Sequence, residues 1–540
     1  MVYIKSKSEV REDFMTKNQH RTLRRVAFGL LCGAALAVQP VMPAWAQADD
    51  LIIALSTFSE ETMTPWGGSG QRKTYLDVVY EYLTYAEPGT LATTPGLAES
   101  WEMSPDAKTW TFKLRQGVQF SGGYGEMTSA DVVYSIERLI REDSRAGPAS
   151  PMRRLIASVE TPDDYTVVVH LNFPDFELAQ GYFGAAQQLG IVSKKHFEAL
   201  GEEAAEATPI GTGAYELASI TPGSEIVMAL RDDVENHWRV QPEFERIVFK
   251  VVPEESTRVA MLRTGEADIA PIGFDSIPTV REAGLEVVSA QATWSPVVRF
   301  GGLIEGSDNR YNPDAPWAKK EVRQALNYAV DKQTIIDELF HGEATVASSD
   351  TPVPAWSDVE PYPYDPDKAR ELLAQAGYEN GFDITIRTFT TAPGAELPLM
   401  AEAVALYWQD IGVNASIEPV DWPSLRSEWT EGRANNYVWT HRGFPFSSAA
   451  NGLEAGFMTA SVFAAYSTPT LEAMIQDFSN EQDLVAREAK FAEIGQHLRD
   501  EAAAVFIALA NEPYGISDKV GEWKITTAYM WNFDQVTRAE

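Results

Sequence analysis

The sequence predicts a mixed α/β protein of at least two domains. Three observations carry this. Short apolar or alternating runs recur between stretches of helical spacing, the pattern of helices packed over sheets. The chain has 540 residues, whereas one hydrophobic core rarely grows past roughly 250–300. No fixed repeat period is present, which argues against a solenoid. With 44% hydrophobic and 11% aromatic residues, there is ample material for buried cores, and global disorder is excluded.

The elements follow in order. Leu51 to Leu55 is an apolar run and predicts a buried first strand. Leu76, Val79 and Leu83 stand at helical spacing within Tyr75 to Leu83 and predict a helix there. Thr109 to Leu114 and Tyr165 to Leu171 alternate and predict strands. Trp110, Phe112 and Phe120 are expected on one strand, filling a core. Thr128 to Arg138 predicts a helix with Thr128 as N-cap and Asp131 three on, one methylene short of a capping box. Gly211-Thr212-Gly213 lacks the Lys-Ser/Thr of a phosphate loop and reads as a turn entering a strand. Glu245 to Val252 predicts a strand, and Thr257 to Leu262 opens a helix. In the second half, helices are predicted over Lys320–Val330, Lys332–Phe340, Asp367–Ala376, Pro398–Gly412 and Trp422–Gly432. Strands are predicted over Phe382–Phe389 and Val413–Val420. Ala502 to Ala510 is the most apolar later stretch, less than half of the roughly 20 residues a membrane-spanning helix needs. It reads as a buried strand or short helix.

Residues 1–46 are different in kind. Lys17, Arg21, Arg24 and Arg25 precede an apolar run from Val26 to Val38, and Ala44-Trp45-Ala46 is a small-x-small pattern. This is the order of a secretory signal peptide, with cleavage expected after Ala46. Met15 would open a signal of more ordinary length. Cys32 follows Leu31 where a lipoprotein signal wants a small residue, so no lipid anchor is expected. Residues 1–46 hold 7 Lys/Arg and 3 Asp/Glu, so the net charge of -34 becomes -38 for the remainder, which has no cysteine. That excludes an intrachain disulfide and suits an oxidising periplasm. It also repels phosphate backbones, so no nucleic-acid partner is expected.

Catalytic and metal patterns are missing. There is no His-Glu-x-x-His, Gly-x-Ser-x-Gly or calcium-loop spacing. The seven histidines are scattered, none three or four from another. His237, beside Trp238, reads as structural. Neither enzyme activity, cofactor nor resident metal is expected.

The motifs resemble one family. Pro95-Gly96-Leu97-Ala98-Glu99-Ser100-Trp101, Thr109 to Phe120, and Thr128-Ser129-Ala130-Asp131-Val132-Val133-Tyr134-Ser135 come first. Gly211-Thr212-Gly213-Ala214-Tyr215, Asn236-His237-Trp238 and Gly265-Glu266-Ala267-Asp268 follow. Val322 to Lys332 and Tyr364 to Arg370 complete the set. Together they resemble the peptide/nickel/opine-type periplasmic substrate-binding components of ABC importers, the extracellular solute-binding family 5. The resemblance implies a bilobed periplasmic-binding-protein fold with two α/β lobes, a hinge and an extra domain in the first lobe. After the signal peptide, the first lobe would take 47–88 and 207–303 around an extra domain at 89–206. The second lobe would take 304–504, and 505–540 would return to the first. It also implies a monomeric receptor in the periplasm. Such a receptor closes on a small organic solute and hands it to permease subunits served by a separate ATPase. Arg323 and Lys332 would then serve surface or intradomain pairs.

Departures from the family pattern bear on the ligand. In peptide-binding relatives an aspartate of a Gly-Trp-x-x-Asp-Tyr-type segment takes the ligand's α-ammonium. Here the stretch is Tyr437-Val438-Trp439-Thr440-His441-Arg442-Gly443, with Arg442 at or next to that position. A guanidinium there repels an ammonium and attracts a carboxylate or phosphate. A surface ion pair is the plain alternative. Ser121-Gly122-Gly123-Tyr124-Gly125 replaces the family's His-Asp-Gly, so Tyr124 is a candidate cleft or structural ring. Trp294 and Arg299, near the expected hinge, are candidate wall residues, and Trp439 a candidate stacking surface. Gly301-Gly302 would allow either a close ligand approach or a looser crossing. The leading expectation is an oligopeptide or modified-peptide receptor for a ligand with an acidic group. A nickel or metal-chelate receptor, with His441 and Arg442 facing the complex, is a further reading, as are opine and oligosaccharide receptors. A secreted hydrolase or peptide chaperone on the same fold is the reading from another class.

Overall fold

The computed structural model describes residues 50–68, 70–87, 92–184, 188–349, 358–391, 394–443, 449–525 and 530–540. The signal-peptide expectation and Cys32 lie outside them.

Strand β1 (Asp50–Leu55) is buried along its whole length, as its unbroken apolar run requires. Beyond a small hairpin of Thr84–Ala86 with Thr93–Pro95, four strands form a separate antiparallel sheet. They are β2 (Ala98–Met103), β3 (Thr109–Leu114), β4 (Ile156–Asp163) and β5 (Thr166–Leu171), in the order β2-β3-β5-β4. The helix Ser129–Leu139 begins at the expected N-cap, and Asp131, though a methylene shorter than Glu, still closes a capping box, with the Thr128 amide donating to it at 2.9 Å. The other Asp131 oxygen accepts from the Lys194 amide at 2.9 Å, so this residue staples two segments together.

The chain then returns to the sheet of β1. It adds β6 (Tyr215–Thr221), β7 (Glu225–Leu230), β8 (Arg246–Val251) and β9 (Ile269–Pro271). β10 (Glu286–Phe300) is 15 residues long and runs out of this region. Beyond it come β11 (Ala344–Val346), β12 (Asp383–Thr388), β13 (Asn414–Pro419), β14 (Val438–Gly443), β15 (Ala504–Phe506) and β16 (Ala508–Ile516). These twelve strands form one sheet, ordered β13-β12-β14-β10-β16-β9-β1-β8-β7-β6, with β11 on β16 and β15 on β10.

β10 and β16 connect the two ends of that sheet. The first part of β10 pairs antiparallel with β16, from Glu286 opposite Ile516 to Ala290 opposite Glu512. The register then shifts between Ala290 and Trp294, where Ala292 has φ of 48°. From Ser295 onward β10 gains β14 on its other edge, while β15 continues the first edge from Val297 opposite Phe506. Asn511 holds the irregular turn of chain, accepting from the Ala292 amide at 3.0 Å. Glu343 accepts from Ser289 Oγ at 2.8 Å, Asn511 Nδ2 at 3.3 Å and Arg281 Nη2 at 2.9 Å. Two cores pack on the sheet, and the second runs through the crossing, taking Ile52, Ala54, Val248 and Leu262 from its first end as well. One joins Leu51, Ile53, Tyr514 and Ile516 to Phe112 and Val167 of the small sheet. The other joins Ala508, Ala510 and Trp294 to Ile386, Val404 and Trp408.

Several expectations are corrected. Helix in the Tyr75 to Leu83 stretch is confined to the single turn Lys73–Leu76. The Val78 and Val79 carbonyls instead accept from the Tyr215 and Gly213 amides at 3.1 and 2.8 Å, drawing the chain out of the helix. Phe120 is buried as expected but lies beyond the end of β3. Of the surface or intradomain pairs expected for Arg323 and Lys332, the intradomain one holds for Arg323, 3.4 Å from Glu501, and neither residue lies at the surface. Arg323 is buried and caps the Trp317, Ala318 and Glu501 carbonyls. Lys332 donates to the Tyr362 carbonyl at 3.1 Å, and burial pushes its ammonium down to about 7. His237 is structural as expected: its Nε2 donates to the Thr212 carbonyl at 3.0 Å.

The glycine pair serves a close approach of the chain's own backbone. A Cβ on Gly301 would stand 2.5 Å from the Ala434 and Tyr437 carbonyl oxygens. Gly301→Ala is therefore expected to destabilise by about 3 kcal/mol. Urea unfolding midpoints check this; a change below about 1 kcal/mol would show that the backbone yields freely.

Candidate ligand cleft

The site is built on β10, β14 and β16. Opposed residues of an antiparallel pair share a face, and neighbours along a strand alternate. Arg299 stands opposite Trp439 and Val297 opposite His441, so Arg299, Trp439 and His441 share one face. Pro296 stands opposite Arg442, which therefore lies on the other. The sequence-based pairing of His441 with Arg442 on one metal complex is thus corrected, because adjacent strand residues cannot present to the same side.

The face of His441 is covered by the helix Trp422–Thr430. The His441 ring is 5.7 Å from that of Trp422 and 5.2 Å from that of Trp429, centroid to centroid. Trp429 also lies 5.6 Å from Trp439 and 5.8 Å from the Arg299 guanidinium. Small cavities of about 10 Å³ each flank Arg299 and Trp439, room for about one water. Trp439 Nε1 and His441 Nδ1 are buried with no hydrogen-bond partner among the described residues. Trp439 is 1% exposed and presents no surface to a ligand in this conformation. The same holds for Trp294, 1% exposed and packed 6.0 Å from the ring of Phe340. Tyr124 lies apart, edge-on to His196 at 4.8 Å and packed against the core that contains the small sheet.

Burial and the cations Arg299 and Arg442 hold the His441 imidazolium far below the usual histidine range, so the ring is neutral. The unfolded chain takes up a proton at this residue below pH ~6.5 and the folded chain does not. Its contribution is full above that pH and is lost as pH falls, by up to about 1.4 kcal/mol per unit. Urea unfolding at pH 7.5 and 5.5 should show a steeper acid loss for the native protein than for His441→Gln. Equal slopes would refute the buried neutral ring.

Arg442 is half-buried near the end of β14. One further polar group shares its face and carried no sequence motif. Pro296 and Trp294 alternate onto the face of Arg442, Trp294 stands opposite Ala510, and Glu512 follows Ala510 by two residues. Trp294 is 1% exposed and Ala510 0%, so the face between Glu512 and Arg442 is closed core. The segment after the small sheet touches the second half of the chain. The Ala449 amide donates to Glu177 at 2.7 Å, and the Arg487 guanidinium covers the Phe176 ring at 4.5 Å.

Two long strands crossing between the ends of one sheet, with a smaller sheet inserted on one side, are the plan of a bilobed periplasmic-binding-protein fold. Its work is to close on a solute. The chain belongs to the bacterial extracellular solute-binding proteins, family 5: the model described as "Bacterial extracellular solute-binding proteins, family 5 Middle" matches residues 92–462. It is 28% identical over 466 residues to the dipeptide-binding protein of Escherichia coli, covering 80% of this chain and 83% of that one. It is 29% identical over 390 residues to heme-binding protein A of Haemophilus influenzae, covering 67% and 69%. Among solved structures, HbpA2 from Haemophilus parasuis matches with a TM-score of 0.75 and 23% identity, over 91% of this chain and 100% of that one. NikA from Brucella suis, in complex with Fe(III)-EDTA, matches with a TM-score of 0.75 and 23% identity, over 91% and 99%. At such identity these structures establish the fold. The protein is an extracytoplasmic solute receptor of the kind that serves ABC importers.

Proposed function

We propose that this receptor takes a small peptide or modified peptide carrying an anionic group, and that Arg442 binds that group. The observation behind the anionic group is Arg442, half-buried on the sheet face beside the crossing. The peptide class draws support from relatives named for dipeptides and di/tripeptides. Residues 47–88, 207–303 and 505–540 form the first lobe in this reading, with 89–206 inserted and 304–504 as the second lobe. β10 and β16 act as the hinge, and the Glu177–Ala449 and Phe176–Arg487 contacts meet when the lobes close. The expected signal peptide delivers the chain to the periplasm, where it acts as a monomer on a permease with a separate ATPase.

Native mass spectrometry on protein purified from the periplasm without refolding tests this. A retained peptide or peptide derivative with a free acid is the expected adduct. A purely cationic ligand would remove Arg442 from the site, and a nickel chelate, opine or sugar would replace the substrate class. Turnover of the bound solute would favour the hydrolase reading. A thermal-shift panel over the same classes gives a second measurement, because ligands selective for the folded state raise its apparent stability.

A further inference from the structure

We propose that Asp175, Phe176 and Glu177 form a latch from the small-sheet region to the second half of the chain, holding the two lobes together before any solute binds. This rests on the lobe reading above and adds to it a closing device that the solute does not touch.

The latch has a fixed base. The Asp175 amide donates to the Ala107 carbonyl at 3.0 Å, and Trp110 Nε1 donates to the Asp175 carbonyl at 2.9 Å. Asp175 Oδ1 accepts from the Glu177 amide at 2.8 Å. These bonds tie the segment to β3 and to the turn before it, so Phe176 and Glu177 move with the small sheet.

It has two points of attachment. Glu177 Oε2 accepts from the Ala449 amide at 2.7 Å, at the start of the helix Ala449–Phe457. A carboxylate suits that position, because the first amides of a helix lack partners within it and carry partial positive charge. The Phe176 ring lies 4.5 Å from the Arg487 guanidinium, which lies 3.9 Å from the Phe478 ring. Arg487 Nη1 donates to the Phe478 carbonyl at 2.7 Å, which holds the cation in place for Phe176. A cation withdrawn from water is attracted by an aromatic face. Burial lowers the Arg487 guanidinium below its ordinary range, and the Glu177 and Asp175 carboxylates offset part of this. All three latch residues thus favour the same cation.

The contact is also one that can part. Phe176 belongs to neither hydrophobic core. Leu484 and Val485, on the helix turn that carries Arg487, remain 58% and 77% exposed. A rim contact without a shared core biases an equilibrium between two conformers and does not lock it. Apparent affinity scales with the fraction of receptor in the closed state, so the latch raises affinity for every solute by one common factor.

The test is the distance between spin labels on Ser158→Cys, in the small sheet, and Glu488→Cys, beside Arg487. Both positions are exposed, and residues 47–540 contain no cysteine to compete. Double electron–electron resonance is recorded on the full mature chain, refolded from urea to remove retained solute. With native latch residues the shorter distance should predominate. Phe176→Ala with Glu177→Ala should raise the longer population at least about fivefold. Phe176→Tyr keeps the ring and should leave the native distribution. Should the double variant fail to fold, Glu177→Ala alone should give a smaller shift in the same direction. A longer distance that already predominates with the latch intact, or one mixture of two distances shared by all forms, overturns the latch and leaves the hinged lobes standing. A single unchanged distance in every form overturns the hinged-lobe reading and the latch with it.

Discussion

Replacing Arg239 by Leu is expected to lower the unfolding free energy by about 3–5 kcal/mol, the cost of stranding buried charge. Arg239 Nε donates to Glu81 at 2.8 Å, and its Nη2 pairs with Asp534. Glu81 is 0% exposed and Asp534 3%. Trp238 Nε1 also donates to Glu81 at 2.8 Å, and the guanidinium lies 4.8 Å from the Tyr85 ring. The substitution removes the cation and leaves two carboxylates in a low-dielectric site. Glu81 and Asp534 lie far apart in the sequence, so this cluster ties the C-terminal segment to the region of Glu81 and Arg239. Urea unfolding at pH 7 measures the loss. Adding Glu81→Gln and Asp534→Asn to the variant should recover part of it, because those changes remove the stranded charges. A cost under about 1 kcal/mol for Arg239→Leu, or no recovery, would show that water reaches the cluster.

The regular elements were legible because local pattern and burial agree. β1 is buried on both faces, and an unbroken apolar run is what such a strand requires. Thr128 and Asp131 announce a helix start with two residues, and both hydrogen-bonding roles are present. The helical spacing of Leu76, Val79 and Leu83 misled because backbone pairing to Gly213 and Tyr215 overrides periodicity. Such pairing depends on residues more than a hundred positions away, which no local window contains. Trp294 and Trp439 were read as ligand surfaces because aromatic residues near a hinge suit either role. Only the packing against Phe340 and Trp429 tells core from cleft. Arg442 could be singled out because the resemblance supplied an expected residue of opposite charge.

Arg442 therefore carries the largest expected effect on binding. Reversal to Glu should weaken the native acidic ligand by at least about a hundredfold, and Arg442→Gln by about tenfold or more. Truncating one partner of a desolvated charge pair typically costs about 2–5 kcal/mol, so the reversal lies within that range. Arg442→Lys separates charge from shape. A planar guanidinium can hold a carboxylate with two parallel N–H donors, whereas an ammonium offers a point charge. Lys should therefore retain part of the affinity, with a larger loss for a carboxylate that binds in fork geometry. His441 offers an internal check on the site's position. It lies on the opposite face of β14, so His441→Gln should leave affinity within about threefold while changing the acid stability discussed above. The measurement is calorimetry with the solute recovered from the periplasmic protein, in low and high salt. A partly buried pair keeps most of its affinity as salt rises, and a surface pair does not. Unchanged affinity in Arg442→Gln would assign this guanidinium to an intramolecular ion pair and require the acid-binding group to be sought elsewhere in the cleft.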